Sequence, residues 1–325
     1  MKILITGGYG QLGHCIYDVL QYPLIGINNE YYFASHNDFD ITDTSSMEKY
    51  LFYNPDIKCI INCAGYTNVD GAEKDSYSAF KVNSLGVKKL VDICKKYDIM
   101  LFHISTDYVY KDNQLFVKET SEIEPINIYG QSKRDGELHI INSNLNKWYI
   151  LRTGWLYSEY PGNFFTKIID KAKDRYTTSL RVVGDEIGSP TYAKSLAEML
   201  ICIIEHEYYK TSLFENGIYN CSGNGLTSRY DFASTIIGGA YHVEVDGKKI
   251  GIRVPIYQIT QEELNLPAKR PHQVIMNNDK IYSCIPVEQR PWIYDLQDCI
   301  SNYEKMLNYN NLVNKTLYGE DIRTY

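Results

Sequence analysis

Tyr129 and Lys133 stand four residues apart in Tyr129-Gly-Gln-Ser-Lys133. On a helix that spacing sets both side chains on one face, one turn from each other. A free phenol ionises near pH ~10, and a cation within a few ångströms favours the phenolate and pulls that value down. A tyrosine so treated can give or take a proton near neutral pH, as a carbonyl-to-alcohol reaction requires. The pattern alone is weak. The chain holds 30 tyrosines, so a chance Tyr-x-x-x-Lys on a plain surface helix is the competing reading.

A glycine turn changes the balance. The apolar run Lys2–Thr6 leads into Gly7-Gly8-Tyr9-Gly10-Gln11-Leu12-Gly13, and Leu12, Cys15, Ile16, Val19 and Leu20 follow at helical spacing. Strand, glycine turn and helix are the context in which such glycines hold a dinucleotide. Gly7 permits the tight turn, Gly10 lets a pyrophosphate approach the backbone, and Gly13 packs the helix on the sheet. The helix N-terminus, with its free N–H groups and positive dipole end, faces the phosphates. A second strand is expected at Tyr31–Ser35. Its end carries Ser35, His36 and Asn37, with Asp38 and Asp40 slightly later. No acidic residue stands directly at that end for a ribose and no arginine for a 2′-phosphate, so NADPH and NADH both stay open.

The elements around these motifs follow from periodicity. A helix is expected over Ser45–Tyr53, capped by Asp43 or Thr44, and a buried strand over Lys58–Asn62. That strand ends in Cys63-Ala64-Gly65-Tyr66, small residues where a chain passes close to a ligand. A long helix spans Ser76–Tyr97. Asn83 falls inside it, either facing solvent or orienting the helix of Tyr129. A fourth strand, Met100–Ile104, ends in Ser105-Thr106-Asp107-Tyr108. Strands alternating with helices predict an α/β fold, a Rossmann-type doubly wound parallel sheet with ligands beyond the carboxyl ends of its strands. Residues 1–155 form the nucleotide-binding part, its sheet completed by about 217–222, and 156–325 form most of a smaller interleaved α/β lobe. There, helices are expected at Phe164–Lys173, Tyr192–Glu207, Leu226–Ile237 and Asp295–Leu307, with a strand at Ile252–Tyr257. Arg181–Pro190 reads as a loop bordering a nucleotide. Residues 308–325 have few apolar anchors and read as a disordered tail or one packed on a partner.

Composition narrows the partners. A net charge of −7 and a pI near 5.6 give no basic footprint for nucleic acid,. The start Met1-Lys2-Ile3-Leu4-Ile5 runs directly into structure and does not read as a signal peptide. The longest apolar run, near Leu200–Ile204, is too short to span a bilayer. The eight cysteines lack Cys-x-x-Cys spacing and read as reduced, mostly buried thiols of a cytoplasmic protein, with no metal site,.

In this order, Gly-x-x-Gly-x-x-Gly, Asn62-Cys-Ala-Gly-Tyr-Thr-Asn-Val-Asp70, Ser105-Thr-Asp-Tyr-Val-Tyr110 and Tyr129-Gly-Gln-Ser-Lys133 resemble the extended short-chain dehydrogenase/reductases. More narrowly they resemble the dTDP-4-dehydrorhamnose reductases. The likeness continues through Leu151-Arg-Thr-Gly-Trp-Leu-Tyr157, Gly162-Asn-Phe164, Gly188-Ser-Pro-Thr191 and Lys269-Arg-Pro271, and thins after about Asn278. Gly154 stands where these reductases usually have serine and Gly65 where they have alanine, and the tail beyond Leu296 is longer. The resemblance implies NAD(P)H-dependent reduction at C4 of a nucleotide-linked 4-keto-6-deoxy sugar. Tyr129 would protonate the carbonyl oxygen. Lys133 would lower the Tyr129 pKa and hold the nicotinamide ribose, and Thr106 would hydrogen-bond the carbonyl. Gly7, Gly10, Gln11, Leu12, Gly13, Asp40, Ile41, Cys63, Ala64, Tyr66 and Asn83 would border the cofactor. Val69, Asp107, Tyr108 and Trp155 would join Thr106 around the sugar, and Lys269 or Arg270 would either neutralise the substrate pyrophosphate or form a surface salt bridge.

Neighbouring activities differ at these positions. The similar 4,6-dehydratases carry Thr-Asp-Glu where this chain has Thr106-Asp107-Tyr108, and a phenol cannot replace that carboxylate. Epimerase-reductases of GDP-fucose synthesis use a cysteine and a histidine, and no cysteine follows Ser105. Two alternatives stay open: a reductase of another UDP-, GDP- or dTDP-linked keto sugar, and a non-catalytic dinucleotide-binding subunit resembling the regulatory β subunit of methionine adenosyltransferase. Monomer and homodimer are both compatible with the sequence.

Overall fold

The structure, a computed structural model, describes residues 1–22, 29–208, 214–285 and 288–318. Six strands, β1 (Lys2–Thr6), β2 (Glu30–Ala34), β3 (Ile57–Asn62), β4 (Met100–Thr106), β5 (Trp148–Thr153) and β6 (Gly217–Asn220), form one sheet; β1, β3, β4 and β5 bury runs of apolar side chains, whereas β2, at the edge, buries only Ala34. Its order is β6-β5-β4-β3-β1-β2 and every pairing is parallel. Chain direction across the sheet reverses at β1 and β3, so the crevice lies beyond their carboxyl ends.

Helices cover both faces, which is why the strands read as near-continuous apolar runs. On one face α1 (Gln11–Leu20) and α6 (Ala193–Tyr208) bury Ile16, Val19, Leu196 and Leu200 against Ile3, Ile5 and Ile61. On the other, α2 (Thr44–Tyr53), α3 (Ser76 to Tyr97) and α4 (Ile128–Ile141) bury Met47, Leu51, Leu90, Val91 and Ile140 against Leu4, Ile60, Leu101 and Ile150. Asp43 caps α2, accepting the Ser45 N–H at 2.9 Å.

The second lobe has its own core. Phe165 and Ile169 of α5 (Phe164–Lys173), Phe232 and Ile236 of α7 (Arg229–Ala240), and Leu296, Cys299 and Tyr303 of α8 (Trp292–Tyr318) pack around Tyr157 and Tyr192. A short parallel pair, Leu180–Val183 with Ile256–Ile259, edges it.

Five expectations change. The segment Ser76–Tyr97 is α-helical over Ser76–Phe80 and Val87–Tyr97, but π-helical over Lys81–Gly86. The wider turn shifts the helical phase, and Leu85 is exposed,. The strand expected at Ile252–Tyr257 starts at Ile256, where Leu180–Val183 offers its partner groups. Residues 180–183 are therefore strand rather than loop, as is the two-residue piece Ile187–Gly188, which pairs with Thr227–Ser228. The helix expected at Leu226 begins at Arg229, because Ser228 caps it through the Asp231 N–H. Residues 308–318 of the supposed tail continue α8; 319–325 lie outside the described residues.

None of the eight cysteines forms a disulfide, and five of them are buried. Among the described residues no helix is long and apolar enough to cross a membrane, and no His/Cys/Asp/Glu group is arranged to hold a metal.

Candidate active site

A cleft of about 1150 Å³ runs along the carboxyl edge of the sheet into the second lobe. At one end is the glycine turn. Gly7 sits at φ +62°, where a side chain is strained, and a Cβ there would come within 2.9 Å of the Ala64 nitrogen,. A Cβ on Gly13 would collide with the Gly8 carbonyl, so α1 can begin this close to β1 only with glycine at that position. Gly7, Gly10, Gln11, Leu12, Asp40, Ile41, Cys63, Ala64, Tyr66 and Asn83 line this end, while Gly13 lies beneath it as packing. Ser35 and His36 also line the cleft. Asp38 does not, and its carboxylate accepts the Ser35 N–H at 2.9 Å and hydroxyl at 2.6 Å. The backbone-lined cradle fits a dinucleotide. Gly13→Val is expected to push α1 off the sheet and weaken NADH binding at least about tenfold, read by quenching of protein fluorescence. Unchanged affinity would count against this end as the cofactor cradle.

The π segment makes Asn83 a junction. Its amide oxygen accepts the Tyr66 N–H at 2.8 Å, and its amide nitrogen donates to the Tyr66 carbonyl at 2.9 Å and the Ser132 hydroxyl at 3.0 Å. One buried side chain thus fixes the loop after β3 to α4, the helix of Tyr129 and Lys133. Asn127 caps α4 by accepting the Gly130 N–H at 2.8 Å, and Glu73 accepts the Ile128 N–H at 2.9 Å.

Thr106, Asp107, Tyr108, Tyr129 and Lys133 come together in the middle of the cleft, with Val69 and Trp155 on its walls. Tyr108 and Tyr129 meet edge to face, ring centroids 5.8 Å apart. The expected acidification of Tyr129 is not the arrangement seen. Burial pushes its phenol up to about 12, against the lowering effect of a hydrogen bond with Thr106,. The Lys133 ammonium turns to the Ile104 carbonyl at 2.7 Å, and burial pulls its pKa down to about 8. Desolvation is the larger effect on both groups, and on the phenol it outweighs the Thr106 hydrogen bond.

Asp107 is buried too, and burial raises its pKa to about 6, opposed by the Thr106 hydroxyl at 3.0 Å and the Arg229 charge. Gly154 accounts for part of the fit, because a Cβ there would collide with the Asp107 carboxylate. The folded value lies above the ordinary 3.8, so the folded chain keeps a proton that the unfolded chain has lost between the two. Stability from this group is present below pH ~4 and declines as pH rises through about 6. Asp107→Asn is expected to gain about 2 kcal/mol over the parent at pH ~8 and nothing at pH ~4, by denaturant melts. Equal gains at both values would contradict the burial argument.

The second-lobe wall holds residues that no sequence signal singled out. The Arg229 guanidinium lies 3.5 Å from the Trp155 ring centroid and 5.0 Å from that of Phe164, and Glu186 accepts its Nε at 3.4 Å. Trp155 itself sits at φ +49°. Lys167, Lys171 and Arg181 line the same wall. Arg270 lines the cleft while gripping Asp70 through two bonds of 2.8 and 2.6 Å, whereas Lys269 is exposed and contributes its carbonyl to Asn127. Thr153, in the cleft floor, has a buried hydroxyl with no hydrogen-bond partner. Arg229 at the start of a helix and Thr153 at the end of a strand are ordinary by type and spacing; only the fold turns them inward.

The family model described as the RmlD substrate binding domain matches residues 1–305. The chain is 34% identical over 299 residues to the dTDP-4-dehydrorhamnose reductase of Aggregatibacter actinomycetemcomitans, covering 90% of this chain and 95% of that protein. Among solved structures it resembles an RfbD ortholog, a dTDP-4-dehydrorhamnose reductase from Clostridium acetobutylicum, with TM-score 0.80, 31% identity and coverage of 93% and 99%. It also resembles the enzyme of that name from Bacillus anthracis solved in complex with NADP, with TM-score 0.79, 31% identity and the same coverage.

Proposed function

The chain belongs to the family of the RmlD substrate binding domain, and on that premise we propose that it reduces the C4 keto group of dTDP-4-dehydro-L-rhamnose to dTDP-L-rhamnose. It is an NAD(P)H-dependent sugar-nucleotide 4-ketoreductase, and its product serves cell-surface polysaccharide synthesis. The observation that carries this reading is the continuity of one cleft from the glycine turn, past Thr106, Tyr129 and Lys133, to the aromatic and basic wall of the second lobe.

Bound NADPH or NADH supplies the hydride. Gly7, Gly10, Gln11, Leu12, Asp40, Ile41, Cys63, Ala64, Tyr66 and Asn83 would hold it. Tyr129 carries the proton for the oxygen of the substrate. Reduction starts with a protonated donor, so a phenol kept neutral by burial suits this direction, and the developing alkoxide is basic enough to take its proton. Thr106 donates to the same oxygen and moderates its growing charge. Lys133 compensates the phenolate left on Tyr129. Val69, Asp107, Tyr108 and Trp155 shape the sugar pocket, and Tyr108 supplies no carboxylate for dehydration. Lys167, Lys171 and Arg181 offer positive charge for the substrate diphosphate. The reaction is assigned to the cytoplasm, with the protein acting as a monomer or homodimer.

The test is oxidation of NADPH or NADH by purified protein supplied with dTDP-, UDP- and GDP-linked 4-keto-6-deoxy sugars, the product identified by NMR. Turnover is expected with the dTDP substrate in the L-rhamno configuration. Faster turnover with a UDP or GDP sugar would overturn the substrate, and no sugar-dependent turnover would overturn the reaction.

A further inference from the structure

His103 lies directly behind the reactive groups but lines neither the cleft nor the surface. Its Nε2 is 3.4 Å from the Lys133 nitrogen, and its Nδ1 is 3.0 Å from the Asn62 amide nitrogen. The Asn62 amide oxygen accepts the Thr6 hydroxyl at 2.7 Å. The line therefore crosses the sheet from the residue before Gly7, through the end of β3 and the middle of β4, to α4. Thr6, Asn62 and His103 are fully buried. Packing alone gives no reason for polar groups here, since aliphatic side chains would fill the space without the cost of burying them.

We propose that His103 is a positioning residue for Lys133: the ring, oriented by Asn62 and Thr6, holds the lysine head group at the cleft wall in both its charged and its neutral state. This rests on the roles proposed for Tyr129 and Lys133. The hydrogen count explains why the residue is histidine. An ammonium has three protons and no acceptor. The Ile104 carbonyl takes one. The ring takes a second at Nε2 when its own proton is on Nδ1, leaving the third for the cleft. When the lysine is neutral, its lone pair accepts from Nε2–H and Nδ1 accepts from Asn62. The Asn62 amide serves both tautomers by presenting oxygen or nitrogen to Nδ1, and the Thr6 hydroxyl accepts or donates to match. Burial, with the cation beside it, keeps the ring neutral by pushing its pKa well below the histidine range. Besides His103 on β4, the titratable groups facing Lys133 are Tyr129 and Glu137 on its own helix and Cys63 after β3. Glu137 and Cys63 oppose the downward pull of burial on its pKa.

His103→Phe keeps the bulk and removes both nitrogens. Its kcat is expected to fall about tenfold or more near neutral pH, with KM for the sugar nucleotide within about twofold. The alkaline limb of its kcat profile should move at least about one unit lower, because the ammonium has lost an acceptor. His103→Asn, which keeps an acceptor, should regain most of the rate. A His103→Phe protein with unchanged circular dichroism and a wild-type pH profile would overturn the proposal. Should that variant fail to fold, Asn62→Asp carries the test. It fixes the ring proton on Nδ1 and should move the limb higher, and a limb that stays or moves lower would overturn the proposal. Labelling the seven histidines with 15N supplies a readout that needs no turnover. The His103 ring nitrogens should shift as pH is raised through the Lys133 titration, and not in Lys133→Met. A ring insensitive to that titration refutes the network, whereas a wild-type protein without sugar-dependent turnover refutes the function and leaves the NMR result standing.

Discussion

Tyr129→Phe is expected to lower kcat about 10²–10⁴-fold while leaving the NADH dissociation constant within about threefold. The substitution removes one oxygen. The ring keeps its edge contact with Tyr108, and α4 keeps its cap and its bonds through Asn83 and Asn127. Only the proton donor is lost, so the deficit belongs in kcat and in kcat/KM to a similar degree. Steady-state rates with the dTDP-linked keto sugar measure the first quantity and fluorescence titration the second. A variant that retains a tenth of the parental kcat would show that another group, with Thr106 and Asp107 nearest, delivers the proton.

Glu137→Gln should be the most destabilising single change near the site, at about 3–5 kcal/mol. Glu137 stands one turn beyond Lys133 on α4. Its carboxylate accepts Arg152 Nε at 3.0 Å, Arg152 Nη2 at 2.6 Å and the Ser105 hydroxyl at 2.5 Å. Both charged side chains are only 2–3% exposed. The guanidinium also lies 4.8 Å from the centroid of the Tyr110 ring. Glutamine fills the same space but leaves a buried cation without its counter-charge, and desolvation is then uncompensated. The pair ties α4 to the ends of β4 and β5, so the variant should also lose activity through misplacement of Lys133. Urea melts of Glu137→Gln, Arg152→Met and the double variant give the measurement. The double variant should be less destabilised than either single, since removing both charges removes the burial cost as well. A loss below about 1 kcal/mol for Glu137→Gln would mean that water reaches the pair.

How much was legible beforehand follows from how local each signal is. The glycine turn was legible because Gly7, at φ +62°, and Gly13, against the Gly8 carbonyl, answer to constraints within a few residues of chain. The central strands β1, β3, β4 and β5 were legible because burial on both faces writes a near-continuous apolar run into them,. Tyr129 and Lys133 were legible because helix geometry alone sets them on one face.

Other features depended on partners distant in sequence. The π turn at Lys81–Gly86 follows from Asn83 reaching both Tyr66 and Ser132, which no helical period encodes. Ile252–Tyr257 was displaced to Ile256–Ile259 because a strand begins where its neighbour offers hydrogen bonds, and that neighbour is Leu180–Val183. Arg229 became a cleft residue only when α7 laid it over Trp155. The charge states were decided last of all. Sequence spacing promised a phenol acidified by a lysine, but both groups are enclosed by the sheet and the lobe, and desolvation raises one pKa and lowers the other. The chain by itself determined which groups share an element or a face, because helical and strand periods fix directions along a few residues. The tertiary structure decided how acidic those groups are, because a pKa measures the water and charge removed around it by every element that packs there.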